Sequence, residues 1–301
     1  MDLAQLNSTY GIAGQVTFVS GKGEFPYLQV NNAQATALIS LYGGQVLAFK
    51  PHDAAHDLMF VSENAYYQPG KAIKGGAPIC WPWFGPDPAG QGRPSHGFVR
   101  NRPWQVMGTT TLPNGATKIT LGLQDTDDTQ ALWPYAFELA LEVIVGTTLT
   151  LALVTCNCSD RPFEITQALH TYFAVGDIAQ TQVLGLEGTT YIDKVDGGAV
   201  KSQTGAVAIA SEVDRIYQGV PAALAIVDAA LQRRIHITST GNQTAVVWNP
   251  WQDIAAQSAD LMDDAYTRFV CVETTNAADD VVTVPAEGEY RLTVTYAIAP
   301  L

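Results

Sequence analysis

Period-two alternation of apolar and polar side chains, broken every few residues by glycine, proline or asparagine, is the feature that most limits what this chain can become. Such alternation puts successive side chains on opposite faces of an extended strand and denies a helix its continuous apolar stripe. The last run shows it most cleanly: Tyr290, Leu292, Val294, Tyr296 and Ile298 are expected to face inward, and Arg291, Thr293 and Thr295 outward. The first fifty residues offer Gln15 to Ser20, Tyr27 to Val30, Ala35 to Leu41 and Gln45 to Phe49, split by Gly21-Lys22-Gly23, Asn31-Asn32 and Gly43-Gly44. Bounded by turn formers, they read as an antiparallel meander. Further strands are expected at Trp104 to Thr110, Thr117 to Gln124, and Ala136 to Val145, with Gly146-Thr147 turning into Thr148 to Asn157. More follow between Gln182 and Ile298, while the best helix candidate, Asp127 to Leu132, is short. With no internal repeat or linker, residues 1–301 read as a single all-β domain, a large antiparallel β-sandwich.

Composition narrows the function. With 47% hydrophobic and 15% charged residues the chain can bury a substantial core. A formal charge of -13, from 29 acidic and 16 basic residues, speaks against nucleic acid or an anionic membrane as partner, since phosphate backbones require clustered cations. Met1 to Tyr10 has no basic leader followed by an apolar stretch, and Val220 to Leu231 is interrupted by Pro221 and Asp228, so a cytoplasmic protein is expected. Cys80, Cys156, Cys158 and Cys271 sit in strand-like surroundings and read as reduced, buried thiols. Cys156 and Cys158 share a strand face, but two thiols alone do not make a metal site, and no metal is expected.

Three stretches carry candidate chemistry. In Q-A-L-H-T-Y-F-A-V-G-D, Gln167 to Asp177, His170 ends the polar face of a strand; it serves either as a structural hydrogen-bonding residue or as a proton donor or acceptor near neutral pH. In Arg268 to Thr275, Glu273 stands in an almost continuously apolar run, where a carboxylate is costly unless paired or used. Between Lys71 and Arg102, glycine and proline exclude a helix, and Lys71, Lys74, Arg93, Arg100 and Arg102 against Asp87 give a local +4. That loop is either a cradle for an anion or an ordered loop with solvated charges and its aromatic residues, Trp81, Trp83 and Phe84, in the core. Asp214 reads as the partner of Arg215 in a surface ion pair or as an acceptor for sugar hydroxyls. Trp248 and Trp251 flank an Asn249-Pro250 turn, packed in the core or stacked on a ligand.

Six segments in order resemble the glucose-6-phosphate 1-epimerases of the aldose 1-epimerase superfamily: K-G-G-A-P-I-C-W-P-W-F-G from Lys74, S-H-G-F-V-R from Ser95, A-L-H-T-Y-F-A-V-G-D from Ala168, D-R-I-Y from Asp214, V-W-N-P-W from Val247 and F-V-C-V-E-T from Phe269. The resemblance spans about Ala33 to Ala297. It implies a galactose mutarotase-like supersandwich, a sugar in an open cleft across the sheet, no cofactor, and interconversion of the α and β anomers of a hexose 6-phosphate. It marks His170 and Glu273 as catalytic, and Lys74, Ser95, His96, Arg100 and Asp214 as substrate-binding, with His96 a binder or a second proton donor. Lys74 stands where relatives commonly carry arginine, and Ser95 where some carry glutamine. A lysine meets phosphate as a point charge without the guanidinium fork. The expected chemistry is ring opening with Glu273 as base and His170 as acid, in a monomer. The rival readings are an aldose 1-epimerase acting on free sugars and a non-catalytic carbohydrate-binding sandwich.

Overall fold

The computed structural model describes residues 2–301, and antiparallel strands dominate it. Nine strands make one sheet, in the spatial order Val207–Ala208, Thr181–Leu184, Ala223–Asp228, Arg233–Thr240, Glu289–Pro300, Leu149–Asn157, Phe137–Val145, Thr117–Gln124 and Gln105–Thr111. The facing sheet runs Ala199–Ser202, Thr190–Asp193, Val213–Gln218, Thr244–Asn249, Phe269–Asn276, Gln167–Leu169 and Ile79–Cys80, and Tyr172–Ala174 adds an eighth strand on Phe269–Asn276. The expected meander is a separate sheet of Val16–Ser20, Pro26–Asn31, Ala35–Ser40 and Gln45–Pro51.

Alternation sets the layers. Arg233–Thr240 is buried and exposed at strictly alternate positions, and along Glu289–Pro300 Leu292, Val294 and Tyr296 are fully buried. Each large apolar side chain so buried contributes about 1.5–3 kcal/mol, and one core cluster takes in side chains from both large sheets and the meander. Two polar groups deep in this core are partnered: the Trp81 indole N–H donates to Thr155 Oγ1 at 3.1 Å, and Thr171 and Tyr296 hydroxyls meet at 2.7 Å.

Expected and observed strands differ mostly by a residue at each end, and the helix Asp127–Leu132 falls where expected, capped by the Thr126 side chain. Two helices have no counterpart in the sequence reading. Leu3–Tyr10 buries only Leu6 and owes its start to Asp2, whose carboxylate accepts from Ala4 N–H; Trp251–Gln257 buries only Ala255. Neither carries the apolar stripe that reveals a helix in sequence. The cysteine reading also needs correction: Cys80 and Cys271 are buried, but Cys158 is exposed and Cys156 half-buried, because Leu149–Asn157 turns that face toward solvent as it ends.

Candidate active site

Inward alternation on one side of the eight-stranded sheet leaves the other side free to form a cleft. Val213, Tyr217, Ala245, Val247, Val270 and Val272 join the core, while the residues between them, Asp214, Ile216, Val246, Trp248 and Glu273, line a cleft of about 540 Å³ on the outer face. That volume suits a small organic ligand.

His170 reaches this face through an interruption in pairing. Leu169 lies opposite Thr274 and Tyr172 opposite Cys271, so the unbroken register sets His170 against Glu273. At the interruption the His170 N–H donates to Pro78 and the Thr171 N–H to Leu169, leaving Thr171 to reach Tyr296 across the core. Both sides of the chain are therefore buried here, and His170 does not end an exposed polar face as the alternation suggested. The imidazole Nε2 lies 3.3 Å from Glu273 Oε1, a cross-strand pair that is 8% and 2% exposed. Among the described residues, His170 Nδ1 and Glu273 Oε2 have no hydrogen-bond partner. Tyr172 stacks on the imidazole with ring centroids 4.9 Å apart and planes 8° from parallel, and Trp248 meets it edge-on at 6.0 Å.

Burial sets the protonation of this pair. It pushes the His170 imidazole well below its ordinary value, helped by His96, Arg100 and Lys74, and it pushes the Glu273 carboxyl well above its own, with Asp214 adding to the rise and Arg100 opposing it. Burial thus favours the uncharged form of each group, an arrangement with one proton on the pair. That proton sits on the carboxyl beside a neutral imidazole or on the imidazole beside a carboxylate, two states with the same proton count.

The long loop supplies the remaining walls. Gly76, at φ +63°, lets the chain turn from Lys74 under the meander where a Cβ would strike the Val46 carbonyl; Gly97, at φ +72°, lies so close to the Trp81 carbonyl that no side chain fits. These contacts hold Lys74 and the Ser95–Arg100 segment at the cleft. His96, itself at φ +62°, is locked by its N–H to the Gly85 carbonyl at 2.7 Å, and its Nδ1 accepts from Gly85 N–H at 3.3 Å. Burial and the nearby Arg100 and Lys74 charges push it down to about 3. With Nδ1 accepting from Gly85, the neutral ring carries its proton on Nε2, where it can donate a hydrogen bond. Arg100 donates to the Ser95 carbonyl at 3.0 Å, yet its Nε is buried without a partner. Ser95 gives its hydroxyl to Gly85 O at 3.1 Å.

The local +4 is not delivered to the cleft. Arg93 is bound to Asp87 at 2.6 Å and lies over Trp83, Lys71 lies over Tyr66 and Arg102 over Phe98. Of the five cations only Lys74 and Arg100 line the cavity, and Lys74 also meets Asp260 at 3.4 Å. Lys194, not singled out in the sequence, joins them from the turn after Thr190–Asp193. In sequence it is one more lysine in a polar turn; its N–H donates to the Asp214 carbonyl at 2.9 Å, which ties the turn to the cleft. The surface ion pair of Asp214 with Arg215 is not formed: neighbours in a strand face opposite ways, and Arg215 lies over Tyr191 while Asp214 lines the cavity. Trp248 walls the cavity, and Trp251 packs on Tyr266.

All seven residues that the resemblance marks, Lys74, Ser95, His96, Arg100, His170, Asp214 and Glu273, line this one cavity. The aldose 1-epimerase profile matches residues 26–297. The chain belongs to the aldose 1-epimerase family. Within it, a Salmonella typhimurium protein that carries the provisional name glucose-6-phosphate 1-epimerase is 39% identical over 249 residues, 82% of each chain. A protein of the same provisional name from Cenchrus ciliaris is 37% identical over 273 residues, covering 88% of this chain and 82% of the relative. The crystal structure of a protein provisionally named a mutarotase, also from Salmonella typhimurium, superposes with a TM-score of 0.88 at 34% identity and covers 95% of this chain and 94% of that one. An aldose 1-epimerase fold of the galactose mutarotase type is thus the scaffold on which the His170–Glu273 pair is mounted.

The stacked tyrosine gives a first prediction. Tyr172→Leu lowers turnover about 2–12-fold, the kinetic equivalent of the roughly 0.5–1.5 kcal/mol an aromatic pair is worth, whereas Tyr172→Phe, which keeps the ring on His170, stays near wild type. Steady-state kinetics on the two variants check it, and equal losses would show that the hydroxyl matters, not the stack.

Proposed function

We propose that the protein interconverts the α and β anomers of a hexose 6-phosphate, with glucose 6-phosphate the expected substrate. The observation that carries the reading is the buried His170–Glu273 pair, 3.3 Å apart, opening on a cavity whose lining also holds Lys74, Arg100 and Lys194. Opening a hexopyranose removes the proton from the C1 hydroxyl and adds one to the ring oxygen. Both oxygens hang on the same carbon, so acid and base must converge, as this pair does. Starting from imidazolium and carboxylate, Glu273 takes the hydroxyl proton while His170 protonates the ring oxygen. The products are the open aldehyde, a carboxylic acid and a neutral imidazole. Rotation about C1–C2 turns the other carbonyl face toward the C5 hydroxyl, and closure returns the proton from Glu273 to O1 while His170 recovers the one from O5. The pair begins and ends with one proton, and solvent supplies none.

Burial disfavours the charged form of each group, so the reactive imidazolium–carboxylate form is reached by passing the proton from Glu273 to His170 within the pair. Asp214, its carboxyl raised by burial against the pull of Lys194, accepts hydrogen bonds from ring hydroxyls, and the Nε2–H of His96 donates one. Arg100 carries a donor with no partner in the protein, and with Lys74 and Lys194 it provides for the phosphoryl group. The provisional names of the relatives agree with a phosphorylated substrate. The reaction moves protons only and asks for no cofactor.

Two-dimensional NMR exchange spectroscopy tests the reading. Cross-peaks between anomers of glucose 6-phosphate should build up with a kcat/KM above that for glucose or galactose by at least about tenfold, the equivalent of one charge-assisted contact of roughly 1.5 kcal/mol. Exchange of a free sugar at the same rate or faster refutes the phosphate assignment. No enhancement for any hexose refutes catalysis and leaves a sugar-binding sandwich.

A further inference from the structure

Beneath the proton-carrying pair lies a third donor that the reaction does not use. Cys271 stands two residues before Glu273 on the same outward face of Phe269–Asn276 and opposite Tyr172, in the small apolar cluster that Tyr172, Leu261 and Phe269 form under the cleft. A nitrogen of His170, the Cys271 sulfur and a Glu273 oxygen all lie within 4.8 Å of one another, and all three residues are buried. Two of them carry polar atoms that no described residue satisfies, His170 Nδ1 and Glu273 Oε2. We propose that these three side chains form an inhibitory site for a thiophilic divalent cation of the zinc class, which silences the enzyme by occupying both His170 and Glu273.

Geometry and charge both fit. Tetrahedral zinc with bonds of about 2.0–2.3 Å to N, O and S sets its ligand atoms roughly 3.4–3.6 Å apart. The His170–Glu273 separation of 3.3 Å already matches, and the remaining contacts, at most 4.8 Å, close with a shift of about 1 Å. One nitrogen, one thiolate and one carboxylate leave a fourth tetrahedral position for water from the cleft. Binding expels two protons to solvent, the one the pair shares and the thiol proton, so a dication meets two anions and the buried complex is neutral. That neutrality matters beside Arg100, Lys74, His96 and Asp214, which face the pair from the loop and the neighbouring strand. The half-buried Cys156 and the exposed Cys158 lie at the end of Leu149–Asn157, a strand of the other large sheet, and are no part of this site. The inhibitory consequence rests on the acid–base roles proposed above, but the site itself does not.

The test uses Co2+ as a spectroscopic probe and Zn2+ as the inhibitor, on the full chain with Cys156 and Cys158 replaced by Ser to silence surface thiols. One equivalent of Co2+ should give tetrahedral visible bands and a thiolate-to-cobalt charge-transfer band, both abolished by one equivalent of Zn2+. Zn2+ should remove anomer exchange in step with occupancy, and a chelator should restore it. Cys271→Ala should keep basal exchange, lose the charge-transfer band and raise the inhibitory Zn2+ concentration by at least about a hundredfold, since losing a whole ligand exceeds the roughly 10–100-fold cost of outer-shell changes. Cys271→Ser, closer in size, guards against a folding defect and should weaken inhibition in the same direction. Absence of stoichiometric Co2+, a bound Co2+ without the thiolate band, or undiminished Zn2+ inhibition of both variants overturns the site. The spectra need no turnover, so a protein that binds the metal but exchanges no anomers refutes the proposed function and leaves the site standing.

Discussion

Glu273→Gln lowers the turnover of glucose 6-phosphate anomer exchange by about 10²–10⁴-fold, the range for losing a positioned general acid or base. The amide fills the same space but takes up no proton, so His170 can still give a hydrogen bond while the C1 hydroxyl has nowhere to send its own. The carboxyl is 2% exposed and its Oε2 has no protein partner, so the substitution breaks no hydrogen bond outside the pair. Folding should therefore survive, and substrate binding should change far less than turnover. Kinetics on the purified variant, with thermal melting to confirm the fold, checks this. A turnover within about threefold of wild type would remove Glu273 from the chemistry, whose smallest expected loss is roughly a hundredfold.

Arg100→Met separates phosphate recognition from catalysis. Its guanidinium is fixed through Ser95, half-buried, and carries an Nε that nothing in the protein satisfies. A hydrogen bond to a charged group is worth about 1.5–3 kcal/mol, so kcat/KM for glucose 6-phosphate should fall roughly 10–150-fold. Methionine keeps most of the apolar stem and removes only the charged head. Exchange of free glucose should change little, which makes the ratio of the two substrates the reading. Equal losses on both would mean that Arg100 supports the His170–Glu273 pair and not the phosphoryl group.

How much of this could be read from the chain alone divides along local and long-range lines. Strand periodicity is local, so Thr117–Gln124 is found to the residue and most other strands within a residue or two. Glu273 and His170 were legible because each broke a local rule, a carboxylate in an apolar run and a histidine beside one; Lys74 and Arg100 stood out only as cations in a glycine-rich loop, and Ser95 and His96 only through the resemblance. Their convergence was not legible, since it depends on Leu169 facing Thr274 across about a hundred residues of chain, a register no local pattern specifies. The same limit hid the true fate of the loop cations, because whether Arg93 reaches a ligand or Asp87 is decided by folding. Lys194 broke no rule at all, and only the backbone bond to Asp214 brings it to the cleft.

The account turns on a single proton held in common by His170 and Glu273. Two ordinary, independent groups would behave otherwise: the carboxyl would ionise near 4.5, the imidazole would follow near 6.5, and above that the pair would hold none. Burial lowers the imidazole and raises the carboxyl, so the last proton should leave well above 4.5, and a second should be gained only well below 6.5. Titration of protein labelled with 15N in histidine and 13C in the glutamate carboxyl counts these protons directly. One proton still on the pair at pH 7 is the predicted result. A carboxylate beside a neutral imidazole at that pH, with His170 titrating near 6.5, would contradict it.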